Sequence, residues 1–137
     1  MSDKTCGVFV MTKQGKFLLL TKRKNNEYDI PKGKMEGKHK NDELECAFDE
    51  LRQETGILRH HINLEANFRY EHNNAEKVIF LGWIEKEVKI KRSKEHKKDR
   101  WEKWNPPHKI QSGWLDSLLE NLEEYFHNHP ESKKIIF

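Results

Sequence analysis

Glu50 and Glu54 stand four residues apart in a segment whose apolar residues recur at helical spacing, and Glu43 lies two turns ahead of Glu50. Carboxylates one helical turn apart repel each other unless a cation sits between them. Hard divalent ions such as Mg²⁺ or Mn²⁺ prefer carboxylate oxygens, keep several of their waters and bridge to phosphate groups. Helix geometry alone leaves two readings open: a metal-dependent phosphate chemistry, and a solvated acidic helix balanced by neighbouring lysines.

The element that must position these groups is a helix predicted over Asp42 to Thr55. Leu44, Ala47, Phe48 and Leu51 mark its apolar face, centred near Leu44 and Leu51, with the three glutamates at the edge of that face. Asn41 or Asp42 suits the N-cap, and Gly56 stands where a left-handed C-terminal cap belongs. Ahead of this helix, Val8 to Val10 and Phe17 to Leu20 read as strands joined at Lys13 to Lys16, and Pro31 keeps Ile30 out of a helix.

Beyond the helix, "NLEANFRYEH" and "KVIFLGWIEKEVKI" form a second predicted hairpin around "NNAE". A charge run follows from Lys89 to Lys103, then Pro106-Pro107, and then a helix from Gly113 with Leu115, Leu118, Leu119, Leu122 and Phe126 on one stripe. Strands, helix, strands, helix: this order fits an α/β fold with a mixed sheet covered by helices. Without repeats or low-complexity linkers, residues 1–137 read as one domain.

Composition narrows the function classes. The chain is 34% hydrophobic and 36% charged, with a formal charge of +3. That mild excess does not demand nucleic acid, but it suits a ligand carrying several phosphates. Cys6 and Cys46 lie in apolar stretches without metal-ligand spacing and read as buried free thiols of a reducing compartment. No apolar run approaches the roughly 20 residues of a membrane span, and the first residues lack a signal-peptide pattern. A cytoplasmic location is therefore expected.

The segment from Gly33 to Ile57 resembles the Nudix box, G-x5-E-x7-R-E-U-x-E-E-x-G-U with U a bulky aliphatic residue. Glu50, Leu51, Glu54, Gly56 and Ile57 fall on its pattern, preceded by "PKG"; "CGVFV" and "FLLL" near the start are also similar to the family. Asp49 stands where the pattern has Arg, and Gln53 replaces the first Glu of its pair. The stretch from Gly33 to Glu50 is two residues longer than the pattern, and Asn41 takes the slot of the loop glutamate. The missing Arg and Glu sit four apart, as Asp49 and Gln53 do, and Asp facing Gln avoids the repulsion of Asp facing Glu.

The resemblance implies a Nudix fold, an α/β/α sandwich with a mixed β-sheet, and Mg²⁺- or Mn²⁺-dependent hydrolysis of a phosphoanhydride bond. Tyr70, "EKVIF" and "SKEHKKDRW" are similar in order to segments of the dinucleoside tetraphosphate (Ap4A) hydrolase branch. That likeness implies a dinucleoside polyphosphate substrate. It assigns Glu50, Glu54 and the Lys32 carbonyl to the metal, with Glu95 delivered to it from a loop. Lys32 and Lys77 would also serve the substrate, Lys77 gripping a phosphate while Tyr70 or Phe80 stacks on a base; either Glu95 or Glu50 would act as the base. From the residues alone, Lys77 also reads as a solvated lysine, Phe80 as core and Glu95 as charge balance.

Two other readings stay open. "PKGK" with "CAFDELRQETG" is similar to mRNA-decapping Nudix enzymes, and Lys89 to Lys103, interleaved with Trp101 and near Trp104, suits an RNA backbone. A catalytically silent Nudix domain that binds RNA or a protein would account for Asp49 and Gln53 directly.

Overall fold

The computed structural model describes residues 3–72, 74–106, 110 and 113–131. Met1, Ser2, Asn73 of the second predicted turn, and Pro107 lie outside the described residues.

Strand β1 (Asp3–Thr12) is the spine of the sheet. It turns at Gly15, whose φ of 82° suits glycine, into β2 (Lys16–Lys22). The predicted hairpin forms, but the two strands pair only at Met11↔Phe17 and then diverge. Farther along the same edge, Thr5, Cys6 and Gly7 of β1 pair with β4 (Lys32–Lys34). On its other edge β1 runs parallel to β6 (Ala75–Ile84), from Asp3↔Ala75 to Thr12↔Ile84. Strand β5 (Asn63–His72) completes the second hairpin against β6, with a register shift between Leu64 and Ala66. The short β3 (Tyr28–Asp29) pairs with the end of β2.

The expected charged loop takes a different form. From His96 onward it is β7 (His96–Lys103), laid antiparallel along β2 from Lys16↔Lys103 to Lys22↔His96. Arg92 pairs with Asp99 and Arg100 with Glu102 within the segment. Trp104, 2% exposed, is core: it meets Phe9, Phe17 and Phe126 edge-on. Trp101 is half-buried and donates its indole N–H to the Val88 carbonyl at 3.2 Å. Trp104 is therefore closed to base stacking along this segment.

Alternation along the central strands sorts the core into two layers. Phe9, Met11, Phe17, Leu19, Ile79, Leu81 and Trp83 pack with Leu115, Leu118, Leu119, Leu122 and Phe126 of α2 (Trp114–Asn128). Cys6, Val8, Val10, Leu18, Leu20 and Val78 pack with Cys46, Ala47 and Leu51 of α1 (Glu43–Thr55). The result is the expected α/β/α sandwich. Helix α1 is rotated from its expected facing: Leu44 is 37% exposed, while Cys46, Ala47, Glu50, Leu51 and Glu54 are buried. Among the described residues, no helix is long and apolar enough to cross a membrane.

The approach of β4 to β1 requires Gly7. A Cβ there would lie 2.4 Å from the Pro31 carbonyl oxygen and 2.6 Å from the Lys32 Cβ. Gly7→Ala should therefore push β4 off the sheet and cost about 1–3 kcal/mol, as overpacking does; urea unfolding that leaves the midpoint unchanged would contradict this close packing.

Candidate functional site

Helix α1 starts at Asp42, whose Oδ1 accepts the N–H groups of Leu44 and Glu45 at 3.0 and 3.1 Å. It ends at Gly56, at φ 80°, where the N–H returns to the Arg52 carbonyl at 2.9 Å. Between these caps the helix packs Glu50 and Glu54, 8% and 3% exposed, against the sheet. Gly33 on β4 makes room for Glu50: a Cβ there would lie 2.1 Å from its carboxylate carbon. The next strand residue back, Lys32, donates its backbone N–H to Glu54 Oε1 at 3.2 Å.

Burial raises the pKa of Glu50, and the negative charges of Asp49 and Glu95 add to the effect. Glu54 is pushed up to about 9, by burial first; the Lys32 N–H opposes this, while Asp29, Glu95 and Glu50 reinforce it. A carboxyl placed as Glu54 is holds a proton at neutral pH unless a cation replaces it.

Opposite the helix, the start of β7 supplies the other half of the site. His96 is buried, and its Nε2 lies 3.0 Å from Asp29 Oδ2. Burial works against the charge on Asp29, but the His96 bond and Lys32, whose Nζ is 3.0 Å away, outweigh it and keep that carboxyl below its usual range. Glu95 stands exposed on the loop, which Arg23 fastens through its N–H to the Glu95 carbonyl (2.9 Å) and its Nε to the Lys94 carbonyl (3.0 Å). Glu54, Glu95 and His96 each offer one ligand atom, all within 4.8 Å of one another. Buried carboxyls that lack a compensating cation among the described residues, together with the His96 Nδ1 that finds no hydrogen-bond partner among them, fit a divalent ion.

Outside these groups opens a cleft of about 630 Å³, lined by Lys22, Arg23, Lys24, Lys32, Lys34 and Lys94 beside Asp29, Glu95 and His96. Lys77, whose pKa is lowered by burial and by Lys32 and Lys22, lies 5.0 Å from the ring centre of Trp114, and Lys32 lies 5.7 Å from it. Tyr70 sits opposite Lys77 in the β5–β6 ladder and accepts the Asn121 amide at 2.8 Å. Phe80 points to the other side of the sheet, where it lines a hollow with Leu44, Asn67 and Arg69. Tyr70, Lys77 and Lys32 are thus brought to one face, and Phe80 is not.

Sequence reasoning gave no role to Asp29 or Trp114 and did not place His96 among the ligands. The "EH" pair at Glu95-His96 is the signal that could have found the third ligand atom. Glu43, expected to share the stripe of Glu50 and Glu54, serves another purpose. It pairs with Lys4 at 2.8 Å and Arg69 at 2.9 Å, and Arg69 leads these cations in lowering its pKa to about 2.

Asp49 is a hub. His39 Nε2 (2.9 Å), Arg52 (2.8 Å), Lys38 (3.1 Å) and the Gln53 amide (2.9 Å) all reach its carboxylate, which they hold well below its usual range, His39 foremost. His39 belongs to a 3-10 turn at Gly37–His39 and accepts the Glu36 N–H through Nδ1 at 3.0 Å. Asp49 therefore clamps the lengthened loop onto the helix.

A family model described as the NUDIX domain matches residues 1–127. The Ap4A hydrolase of C. elegans, solved as a binary complex, is 20% identical with a TM-score of 0.75, over 91% of this chain and 98% of that one. The MutT protein of Methanosarcina mazei Go1 is 19% identical with a TM-score of 0.68, over 89% and 93%. The NUDIX domain of Shewanella oneidensis NrtR, complexed with ADP ribose, is 12% identical with a TM-score of 0.66, over 90% and 87%. No curated protein matches the sequence.

The raised pKa of Glu54 fixes the sign of a pH effect. The folded protein holds this proton more tightly than the unfolded chain does, so the stabilisation is fully present below about 4.5 and is lost as pH rises through about 9. In chelator, unfolding free energy and with it Tm should fall across that window, the free energy by up to about 1.4 kcal/mol per pH unit, and Glu54→Gln should flatten it. A flat melting profile for the unmodified protein would contradict the burial of this carboxyl. Asp49→Arg would set a guanidinium against Lys38, His39 and Arg52. The change should cost about 1–3 kcal/mol by urea unfolding, and adding Gln53→Glu should recover only part of it because the loop still lacks its acceptor.

Proposed function

This chain belongs to the Nudix family, and we propose that it is a divalent-metal-dependent pyrophosphohydrolase acting on a nucleotide with several phosphates, a dinucleoside polyphosphate such as Ap4A. The observation that carries this reading is the cluster of buried Glu54 with Glu95 and His96, the last two lining a cleft edged by lysines and Arg23. A strongly cationic wall beside buried carboxyls suits a polyanion bridged to divalent ions.

Glu50, Glu54, Glu95 and the Lys32 carbonyl would hold Mg²⁺ or Mn²⁺, and the ion when bound supplies Lewis-acid polarisation of a phosphoryl oxygen. The chain's own groups do the rest. Lys22, Arg23, Lys24 and Lys94 gather the phosphate chain along the cleft. Lys77 and Lys32, held over Trp114, set positive charge beside it. Tyr70, positioned by Asn121, presents its ring on the same face for a base. Burial makes the Glu50 carboxylate more basic than an exposed one, which suits it to take the proton from the attacking water. Glu95 contributes negative charge at the exposed mouth of the site.

The test is phosphate release in Mn²⁺ from Ap4A, ADP-ribose, nucleoside triphosphates and capped RNA. Turnover should be highest on the dinucleoside polyphosphate. Glu50→Gln should lower it by at least about a hundredfold, and Lys77→Ala should raise KM or lower kcat by about tenfold, or 1.4 kcal/mol. A preference for capped RNA with salt-sensitive affinity would replace this substrate with an RNA end. No turnover on any member of the panel would leave a binding scaffold.

A further inference from the structure

We propose that His96 is itself a metal ligand, so that Glu54, Glu95 and His96 form a mixed oxygen–nitrogen site that takes Mn²⁺ ahead of Mg²⁺, and Co²⁺ ahead of both. This rests on the metal dependence proposed above and adds a residue and a selectivity to it.

The inference begins with the histidine's two nitrogens. Nε2 lies 3.0 Å from Asp29 Oδ2, and an ionised carboxylate can only accept, so Nε2 carries the hydrogen. In the neutral ring this leaves a lone pair on Nδ1. That nitrogen is buried and has no hydrogen-bond partner among the described residues. Its nearest carboxylate oxygen, Glu54 Oε1, is 4.0 Å away. This is too far for a hydrogen bond, yet it suits two donors on one ion, each about 2.0–2.2 Å from the metal.

A buried histidine with a purely structural role would be expected to satisfy both nitrogens. Here one is bonded, and the other lies 4.0 Å from Glu54 Oε1 in the cluster that also holds Glu95. A carboxylate behind a histidine that faces a cation is a recurrent arrangement, because it fixes the tautomer and strengthens the donor. Asp29 is well placed for it: Lys32 neutralises one of its oxygens at 3.0 Å while the other holds the ring. The Arg23 bonds to the Lys94 and Glu95 carbonyls set the loop that carries Glu95 next to His96.

Imidazole changes which ion fits. An all-oxygen site suits Mg²⁺, whereas a nitrogen donor favours first-row transition ions, whose affinities rise from Mn²⁺ to Co²⁺. Calorimetry without nucleotide should rank Co²⁺ above Mn²⁺ and Mn²⁺ above Mg²⁺ for the unmodified protein. His96→Asn, which keeps an oxygen near the position of Nδ1, should weaken Co²⁺ binding by about 10- to 100-fold while Mg²⁺ changes by less than about threefold. Asp29→Asn should weaken Co²⁺ in the same direction.

A second measurement needs no variant. In long-range ¹⁵N spectra of the unmodified protein, diamagnetic Zn²⁺ should shift the His96 Nδ1 resonance and leave Nε2 protonated. An unmoved Nδ1, or equal affinities for Co²⁺ and Mg²⁺, would overturn the proposal even if both variants failed to fold. Metal binding with a shifted Nδ1 but no turnover would sink the hydrolase reading alone. Turnover with an unmoved Nδ1 would sink this one alone.

Discussion

Two carboxylic acids buried between a helix and a sheet are the constraint around which this molecule is arranged. An isolated buried carboxylate is so unfavourable that the group takes a proton instead, and the raised pKa values of Glu50 and Glu54 record that tension. The surrounding elements answer it piece by piece. Strand β4 brings the Lys32 N–H to Glu54 and a bare Cα at Gly33 to Glu50. The start of β7 brings His96 and Glu95 from the other side. The long parallel ladder between β1 and β6 holds the sheet firm enough for these short pieces to meet.

The departures from the box pattern are not gaps in the structure. Where the family pattern has an arginine facing a glutamate, this chain has reversed the polarity: Asp49 accepts, and Gln53, Arg52, Lys38 and His39 converge on it. The extra loop length is absorbed by a 3-10 turn, followed by Lys40 and Asn41 in left-handed conformations at φ 51° and 61°. The substituted pair thus positions the loop, while Glu50 and Glu54 keep the buried edge of the helix.

Both helices and both predicted strand pairs were legible in the sequence, because spacing at two and at 3.6 residues survives where a face is buried, while the order of the layers came from the family likeness. Strand β7 was not legible. Its residues alternate in burial, but the exposed positions are Lys98, Arg100 and Lys103, and the buried end is His96, so local hydrophobicity carries little signal. The rotation of α1 was hidden for a related reason. A pattern that counts only apolar residues cannot place glutamates on the buried side, so it centred the face near the exposed Leu44. The family likeness located Glu50 and Glu54 despite this. Asp29, His96 and Trp114 come together only through strand pairing and helix packing, which no single segment encodes.

Gly33 is set by what it faces, not by its backbone conformation. It is not among the residues with positive φ, so its backbone conformation places no special demand on glycine. What excludes a side chain is the carboxylate of Glu50. Positions 33 and 50 therefore form one heritable unit, in which an acid at one is compatible only with a bare backbone at the other. A side chain at position 33 would displace the Glu50 carboxylate from its seat on β4, so the identity of a strand residue fixes where a helix residue can place its acid.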